Sequence, residues 1–324
     1  MHGVFLDIDT VDRGDLDLTP LSSLLTRWTA HGKSTRAKLT ERIRDADIVI
    51  SNKIILDGPA LRSAAGLKLV CIAATGTNNV DLEAARERHV TVCNVSAYAT
   101  PSVVEHVFSQ LLILVRHLNQ YQEAIASGRW QQSSKFCLLD YPIRELAGMS
   151  LGIIGHGELG QAVAAMGKAF GMDILVAERP GKPLRTGRTP LDTVLKTADI
   201  ISLHCTLNAE TRNLISVREL GLMREDAILI NTARGGLVDE TALADALRTG
   251  RIAGAAVDVL STEPPVDGNP LLDSRLPNLL VTPHIAWAST RSRQRLINEI
   301  AENISAWQAG KPRNVVTAQP AVAS

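Results

Sequence analysis

The chain has 324 residues and equal numbers of basic and acidic side chains, 34 of each, so its formal net charge is zero. That balance, with only 4 Trp, 3 Tyr and 4 Phe, excludes the basic, aromatic-rich surface of a nucleic-acid binder. A hydrophobic fraction of 45% with 21% charged residues excludes a disordered chain, and the length predicts two domains.

Taken in chain order, the start MHGVFLDIDT has no basic segment ahead of an apolar one, so a secretory signal is not expected and the setting reads as cytoplasmic. Short apolar, β-branched runs predict strands over 4–8, 47–51, 68–73 and 90–94, with helical periodicity over 35–44 and 81–88 between them. A long helix is expected over 100–127. Thr100 offers an N-cap, Pro101 fits the first helical position, Ser102 with Glu105 forms a competing capping box, and Gly128 supplies the stop. Its most apolar stretch, 107–115, is far shorter than the ~20 residues of a membrane span.

A second series of strands is expected over 151–155, 173–177, 199–204, 227–231, 255–259 and 279–282, which suits a doubly wound nucleotide-binding sheet. Residues 289–307 are again helical, and a helix placed after a completed sheet can return to the first domain and make it discontinuous. Residues 315–324 read as a loosely ordered tail. The expected fold class is therefore α/β, with two Rossmann-like domains built on parallel sheets. Residues 1–99 plus 288–324 form the discontinuous substrate domain, and 100–287 the dinucleotide domain. The four cysteines lie 22, 44 and 68 residues apart with no Cys-x-x-Cys pair, so free thiols are expected and neither disulfides nor a metal site.

The segment Leu151-Gly-Ile-Ile-Gly155-His-Gly157-Glu-Leu-Gly160 is a strand running into G-x-G-x-x-G and then a helix. Those glycines suit a tight turn, close approach of backbone to a pyrophosphate, and close packing of helix on strand. Glu178 ends the next strand, 18 residues beyond Gly160, where a carboxylate accepts the adenosine ribose hydroxyls and repels a 2′-phosphate. NAD is favoured on that ground. The adjacent Arg179 keeps NADP open, because a guanidinium there can receive the phosphate.

Three further strand ends carry chemistry: Asn231-Thr-Ala-Arg234-Gly-Gly, Asp258-Val-Leu-Ser-Thr-Glu263-Pro and Thr282-Pro-His284-Ile-Ala-Trp287. Open α/β sheets gather their sites at such ends. Arg234 offers a fork of donors to a carboxylate and a carbonyl oxygen. His284 can protonate that oxygen as hydride arrives, and Glu263 on the other imidazole nitrogen would fix the ring and favour its charged form. The set suits reduction of a 2-oxo acid. No tyrosine is followed four residues later by lysine, which removes the short-chain dehydrogenase alternative.

These residues, with Ala74-Thr-Gly76-Thr-Asn-Asn-Val-Asp81, His204-Cys205, Ala256-Val-Asp258-Val and Pro283-His284-Ile-Ala-Trp-Ala-Ser289, resemble the D-isomer-specific 2-hydroxyacid dehydrogenases over almost the whole chain. The forms at 75–81, 176–179 and 284–289 look most like the glycerate dehydrogenase (hydroxypyruvate reductase) branch. The resemblance implies Arg234, Glu263 and His284 as the catalytic set and a flavodoxin-like substrate domain. It further implies substrate carboxylate held by the backbone of Thr75 and Gly76, pyrophosphate contacts from Glu158 and Leu159, and Cys205 beside the cofactor. Thr232, Ala233, Arg234 and Asp258 would line the nicotinamide side. Trp287 is the expected pocket wall, with Ile54 a second shaping side chain. A homodimer formed through the nucleotide domain and the long helix is implied too, with small 2-oxo or 2-hydroxy acids as partners and neither nucleic acid nor membrane. Thr206 stands where the family commonly has proline, which is expected to alter the KM for nucleotide. The alternative reading is a non-catalytic NADH-sensing corepressor of the same fold.

Overall fold

A computed structural model of the chain describes residues 1–273 and 276–317. The chain divides into two compact units, Met1–Ala99 with Trp287–Ser324, and Thr100–Ala286.

The first unit alternates β1 (His2–Phe5), α1 (Thr19–Ser22), β2 (Arg27–Ala30), α2 (Arg36–Ile43), β3 (Ile48–Ser51), α3 (Gly58–Ser63), β4 (Leu69–Ile72), α4 (Leu82–Glu87) and β5 (Thr91–Cys93). Every residue of β3 and β4 is buried, as parallel strands covered on both faces require. All pairings are parallel, in the order β2-β1-β3-β4-β5, which is the flavodoxin-like arrangement. Strand β2 is not legible in the sequence. Its RWTA is an edge segment exposed at both ends, with no apolar run or alternation to mark it.

The last helix, Thr290–Gln308, is capped by Ser289, whose Oγ accepts the Ser292 N–H at 3.2 Å. It returns to this first sheet, where Leu296, Ile297, Ile300 and Ile304 lie fully buried in one cluster with Phe5, Ile48 and Leu69. Each such side chain contributes roughly 1.5–3 kcal/mol of burial energy, which ties the returning segment to the sheet. Trp287, expected in the second domain, groups with the first unit instead, its ring edge-on to Tyr98 at 6.2 Å. Residues 315–317 are not a loose tail: Val315 bridges Cys93, and the Val316 N–H donates to the Val92 carbonyl at 2.8 Å. The remainder of that expected tail lies outside the described residues.

The second unit contains α5 (Thr100–Arg116), α6 (Leu118–Ala126), β6 (Ser150–Ile154), α7 (Glu158–Ala169), β7 (Asp173–Val176), α8 (Leu191–Thr197), β8 (Ile200–Leu203), α9 (Val217–Leu222), β9 (Ile228–Asn231), α10 (Glu240–Arg248), β10 (Gly254–Val257) and β11 (Leu279–Val281). Its six strands are all parallel, in the order β11-β10-β9-β8-β6-β7. Strand order reverses at β6, and a crevice at the carboxyl end of that strand is where such sheets bind ligands. The long helix expected over 100–127 is two helices. His117 breaks it with φ of +51°, a left-handed conformation that histidine enters more readily than most residues, while its ring stacks on Tyr141 at 5.8 Å. Thr100 is itself the first residue of the helix, and Ser102 does not form the expected box with Glu105. The Thr100 hydroxyl donates to Glu158 Oε1 at 2.6 Å, and the buried Ser102 hydroxyl donates to the Ala286 carbonyl at 2.7 Å.

Candidate active site

The glycine turn between β6 and α7 divides its work as its geometry dictates. Gly155 has φ of +94°, and a Cβ there would sit 2.5 Å from the backbone of both His204 and Cys205, so only glycine fits. A side chain at Gly160 would strike the Gly155 carbonyl oxygen. Gly157, the N-cap of α7, faces open space instead: nothing lies within 4 Å of a Cβ built on it. Exposed backbone at a twelve-residue helix N-terminus is a cradle for an anion. Leu159 is half-buried behind it, and Glu158 is exposed with its carboxylate bonded to Thr100.

Two more observations fit a dinucleotide. Thr232, in the turn after β9, is buried, and its Oγ1 has no hydrogen-bond partner among the described residues. A polar atom orphaned beside the glycine-lined ends of these strands matches a group that a cofactor would supply. Cys205 is half-buried, its backbone closing on Gly155, and burial pushes its thiol pKa up. Next to it the His204 Nε2 meets the Ser202 hydroxyl at 2.8 Å, and burial pushes the imidazole pKa down to about 4.

Glu178 departs from its expected role. Its buried carboxylate is filled: Oε1 accepts from the Arg179 N–H at 2.9 Å and Arg185 Nη2 at 2.6 Å, while Oε2 accepts from the Arg185 N–H at 3.1 Å and Nε at 2.9 Å. Bonding to Arg185 holds its pKa down to about 2. A carboxylate offers about four acceptor positions, so none is left over for a ribose hydroxyl while Arg185 stays. Arg179 is exposed at the start of the loop.

Arg234, Glu263 and His284 follow β9, β10 and β11, three neighbouring strands, at their carboxyl ends. His284 Nδ1 lies 2.6 Å from Glu263 Oε2, and the other Glu263 oxygen accepts the Leu260 N–H at 2.8 Å, so both oxygens orient the carboxylate. Arg234 is exposed in a turn that buried Asn231 braces twice. Asn231 Oδ1 accepts from the Ala233 N–H at 3.1 Å, and its Nδ2 donates to the Arg234 carbonyl at 2.9 Å. A side chain at Gly235 would collide with the Leu260 carbonyl, so the Arg234 turn lies directly against the segment leading to Glu263.

His284 has φ of +56°, an uncommon conformation for a residue with a side chain, and surrounding bonds impose it. Its N–H reaches the Asp258 carbonyl at 2.8 Å. The Asp258 carboxylate then accepts from Ile285 N–H and Ala286 N–H, both at 2.9 Å, and from the Thr282 hydroxyl at 2.5 Å. Asp258, expected on the nicotinamide side, is instead 1% exposed and committed to holding the His284 loop. Because the Thr282 hydroxyl hydrogen goes to Asp258, its oxygen accepts from His106 Nε2 at 3.0 Å and Gln110 Nε2 at 3.2 Å, which fixes the Nε2–H tautomer of His106. Burial lowers the His106 pKa against the opposing charge of Asp258. Asn231 and Thr282 open two of the strand-end segments, but their bracing roles are not legible there, and His106, in the long helix, carries no signal of its contact with Thr282.

In the first unit, the exposed Thr75 donates its hydroxyl to the Val95 carbonyl at 2.9 Å, and its own carbonyl accepts from Asn94 Nδ2 at 2.8 Å. Gly76 follows, half-buried. The buried Asp7 carboxylate accepts the N–H groups of Asn52, Lys53 and Ile54, which fixes the loop carrying Ile54, and burial raises its pKa. No cluster of three metal-ligating side chains occurs among the described residues, and no helix there is long and apolar enough to cross a membrane.

Comparison with known proteins gives the family. The family described as D-isomer specific 2-hydroxyacid dehydrogenase, NAD binding domain, matches residues 108–286. The chain is 44% identical over 284 residues to a glycerate dehydrogenase of Methylorubrum extorquens, covering 88% of this chain and 90% of that one. It is 35% identical to a hydroxypyruvate reductase of Blautia hydrogenotrophica, over 98% and 99% of the two chains. The solved TT0316 protein of Thermus thermophilus superposes with a TM-score of 0.85 at 34% identity, over 98% of this chain and all of that one. The chain belongs to the D-isomer-specific 2-hydroxyacid dehydrogenases, and its second unit carries their NAD-binding domain.

Proposed function

We propose that the enzyme reduces a small 2-oxo acid, hydroxypyruvate and also glyoxylate, to the D-2-hydroxy acid. A bound NAD(P)H supplies the hydride. The observation that carries the reading is the His284–Glu263 pair beside the Arg234 turn, on three neighbouring strand ends. Similarity to a glycerate dehydrogenase and a hydroxypyruvate reductase supports the choice of substrate over the sensing alternative.

Arg234 engages the substrate carboxylate and carbonyl oxygen. Glu263 occupies Nδ1 of His284, so the proton delivered to the carbonyl oxygen leaves from Nε2. The His284 side chain is 30% exposed, which supports its reprotonation from solvent after each turnover. Gly155, Gly157, Gly160, Glu158 and Leu159 cradle the pyrophosphate, and Thr232, Ala233 and Cys205 border the cofactor.

We read the protein as a cytoplasmic homodimer. The spacing of the four cysteines, with no Cys-x-x-Cys pair, supports the compartment. Exposed Trp130, Phe136, Leu139 and Ile143, following α6 in the second unit, support the dimer, which sedimentation would test. The substrate reading is tested by comparing kcat/KM for hydroxypyruvate, glyoxylate, pyruvate and phenylpyruvate. Hydroxypyruvate should lead, and preference for phenylpyruvate would overturn it.

A further inference from the structure

The segment that carries Glu263 leaves the sheet after β10 and returns at β11. Val259 and Leu271 are buried, and no residue from 260 to 270 is. Apolar packing therefore holds only the ends of this excursion, and polar contacts must set where Glu263 stands. One carboxylate outside the loop supplies them on both sides of Glu263. The Glu240 Oε1 accepts the Ser261 N–H at 2.7 Å, and its Oε2 accepts the Ser261 hydroxyl at 2.5 Å and Asn269 Nδ2 at 2.8 Å.

Glu240 opens α10, where an acidic side chain ordinarily answers the helix dipole and the free N–H groups of the first turn. Its neighbour already does this. Asp239 is the N-cap, and its carboxylate accepts from the Ala242 N–H at 3.1 Å and from the Ser216 hydroxyl at 3.0 Å. The Glu240 side chain turns instead to residues 21 and 29 positions further along the chain. The backbone between Arg234 and Glu240 approaches the same place, since a Cβ on Gly235 would strike the Leu260 carbonyl. Segment 235–240 thus meets Leu260 and Ser261 at two points, and Leu260 is the residue whose N–H orients Glu263 Oε1 at 2.8 Å.

We propose that Glu240 is a positioning residue for proton delivery: by closing the loop on both sides of Glu263 it holds that carboxylate against His284 Nδ1. The proposal rests on the reading of His284 as the acid and Glu263 as its orienting partner. With alanine at 240, Ser261 and Asn269 lose their shared acceptor, and the loop loses its bracing on either side of Glu263. Misplacement of about 1 Å at a reacting group costs up to about 10²-fold in rate. The glycine turn after β6 takes no part in these contacts, so cofactor affinity holds.

A double-mutant cycle in the full chain tests this: kcat with hydroxypyruvate for Glu240→Ala, Glu263→Gln and the double variant, beside fluorescence titration of each with NADH. Glu240→Ala should lower kcat at least about tenfold and leave the Kd for NADH within about twofold. In the Glu263→Gln background the same change should cost less than about twofold, because the group it acts through is already lost. A general role in stability does not depend on Glu263, so a loss by the same factor in both backgrounds would overturn the assignment. A wild-type kcat in Glu240→Ala would do so too. Should Glu240→Ala not fold, Glu240→Gln, which keeps an oxygen for the Ser261 N–H but turns an amide toward a donor, is read in the same cycle with the same outcomes. A wild-type kcat in Glu263→Gln would instead overturn the reading of the acid pair, and this proposal with it.

Discussion

The Nδ1 of His284 and the Oε2 of Glu263 are 2.6 Å apart, and the Leu260 N–H fixes the second Glu263 oxygen. A carboxylate so held orients the ring and offsets positive charge on it. In Glu263→Gln the ring loses the carboxylate that orients it. Loss of kcat should be about 10²-fold or more, by analogy with other histidines deprived of an orienting acid. Steady-state kcat values for the two proteins with hydroxypyruvate check this.

Asp258 acts through the His284 loop. Asp258→Asn turns an acceptor of two N–H groups and one hydroxyl into a side chain with an amide facing a donor. The expected cost is about 1–3 kcal/mol of stability. If the residue positions His284, kcat falls at least about tenfold while the KM for NAD(P)H stays within about threefold. A variant whose nucleotide KM rises while kcat holds would return Asp258 to the cofactor.

The glycine turn separates folding from binding. Gly155→Ala places a Cβ against the backbone of His204 and Cys205 at positive φ, and should cost at least about 2 kcal/mol, seen as a lowered Tm. Gly157→Ala fills open space and should leave Tm nearly unchanged, while weakening NAD(P)H binding in a fluorescence titration.

Apart from β2, the strands and the glycine motif were legible because apolar runs and the G-x-G-x-x-G spacing record what parallel sheets and phosphate approach demand. The three candidate side chains, Arg234, Glu263 and His284, stand out because each follows an apolar strand, where such sheets place chemistry. What the sequence hides depends on contacts between distant segments. Ser102 reads as a cap but meets Ala286, Glu178 reads as a ribose acceptor but is taken by Arg185, and His106 meets Thr282 from a helix 176 residues away. The break at His117 is a backbone choice that helical periodicity carries straight through.

His204 makes stability depend on pH. Its imidazole has a folded pKa of about 4 against an ordinary value of 6.5, so between those values the unfolded chain binds more protons. Stability therefore rises with pH across that window and is lost as pH falls from 6.5 toward 4, by on the order of 3 kcal/mol for this group. Glu178 acts lower down, from 4.5 toward about 2. Urea unfolding at several pH values should show a shallower slope between pH 6.5 and 4 in His204→Asn than in the wild type.

The kcat of His284→Ala with hydroxypyruvate at neutral pH decides whether His284 is the acid in 2-oxo acid reduction. It should fall about 10²–10⁴-fold with NAD(P)H binding retained. A wild-type kcat would mean that the proton comes from elsewhere.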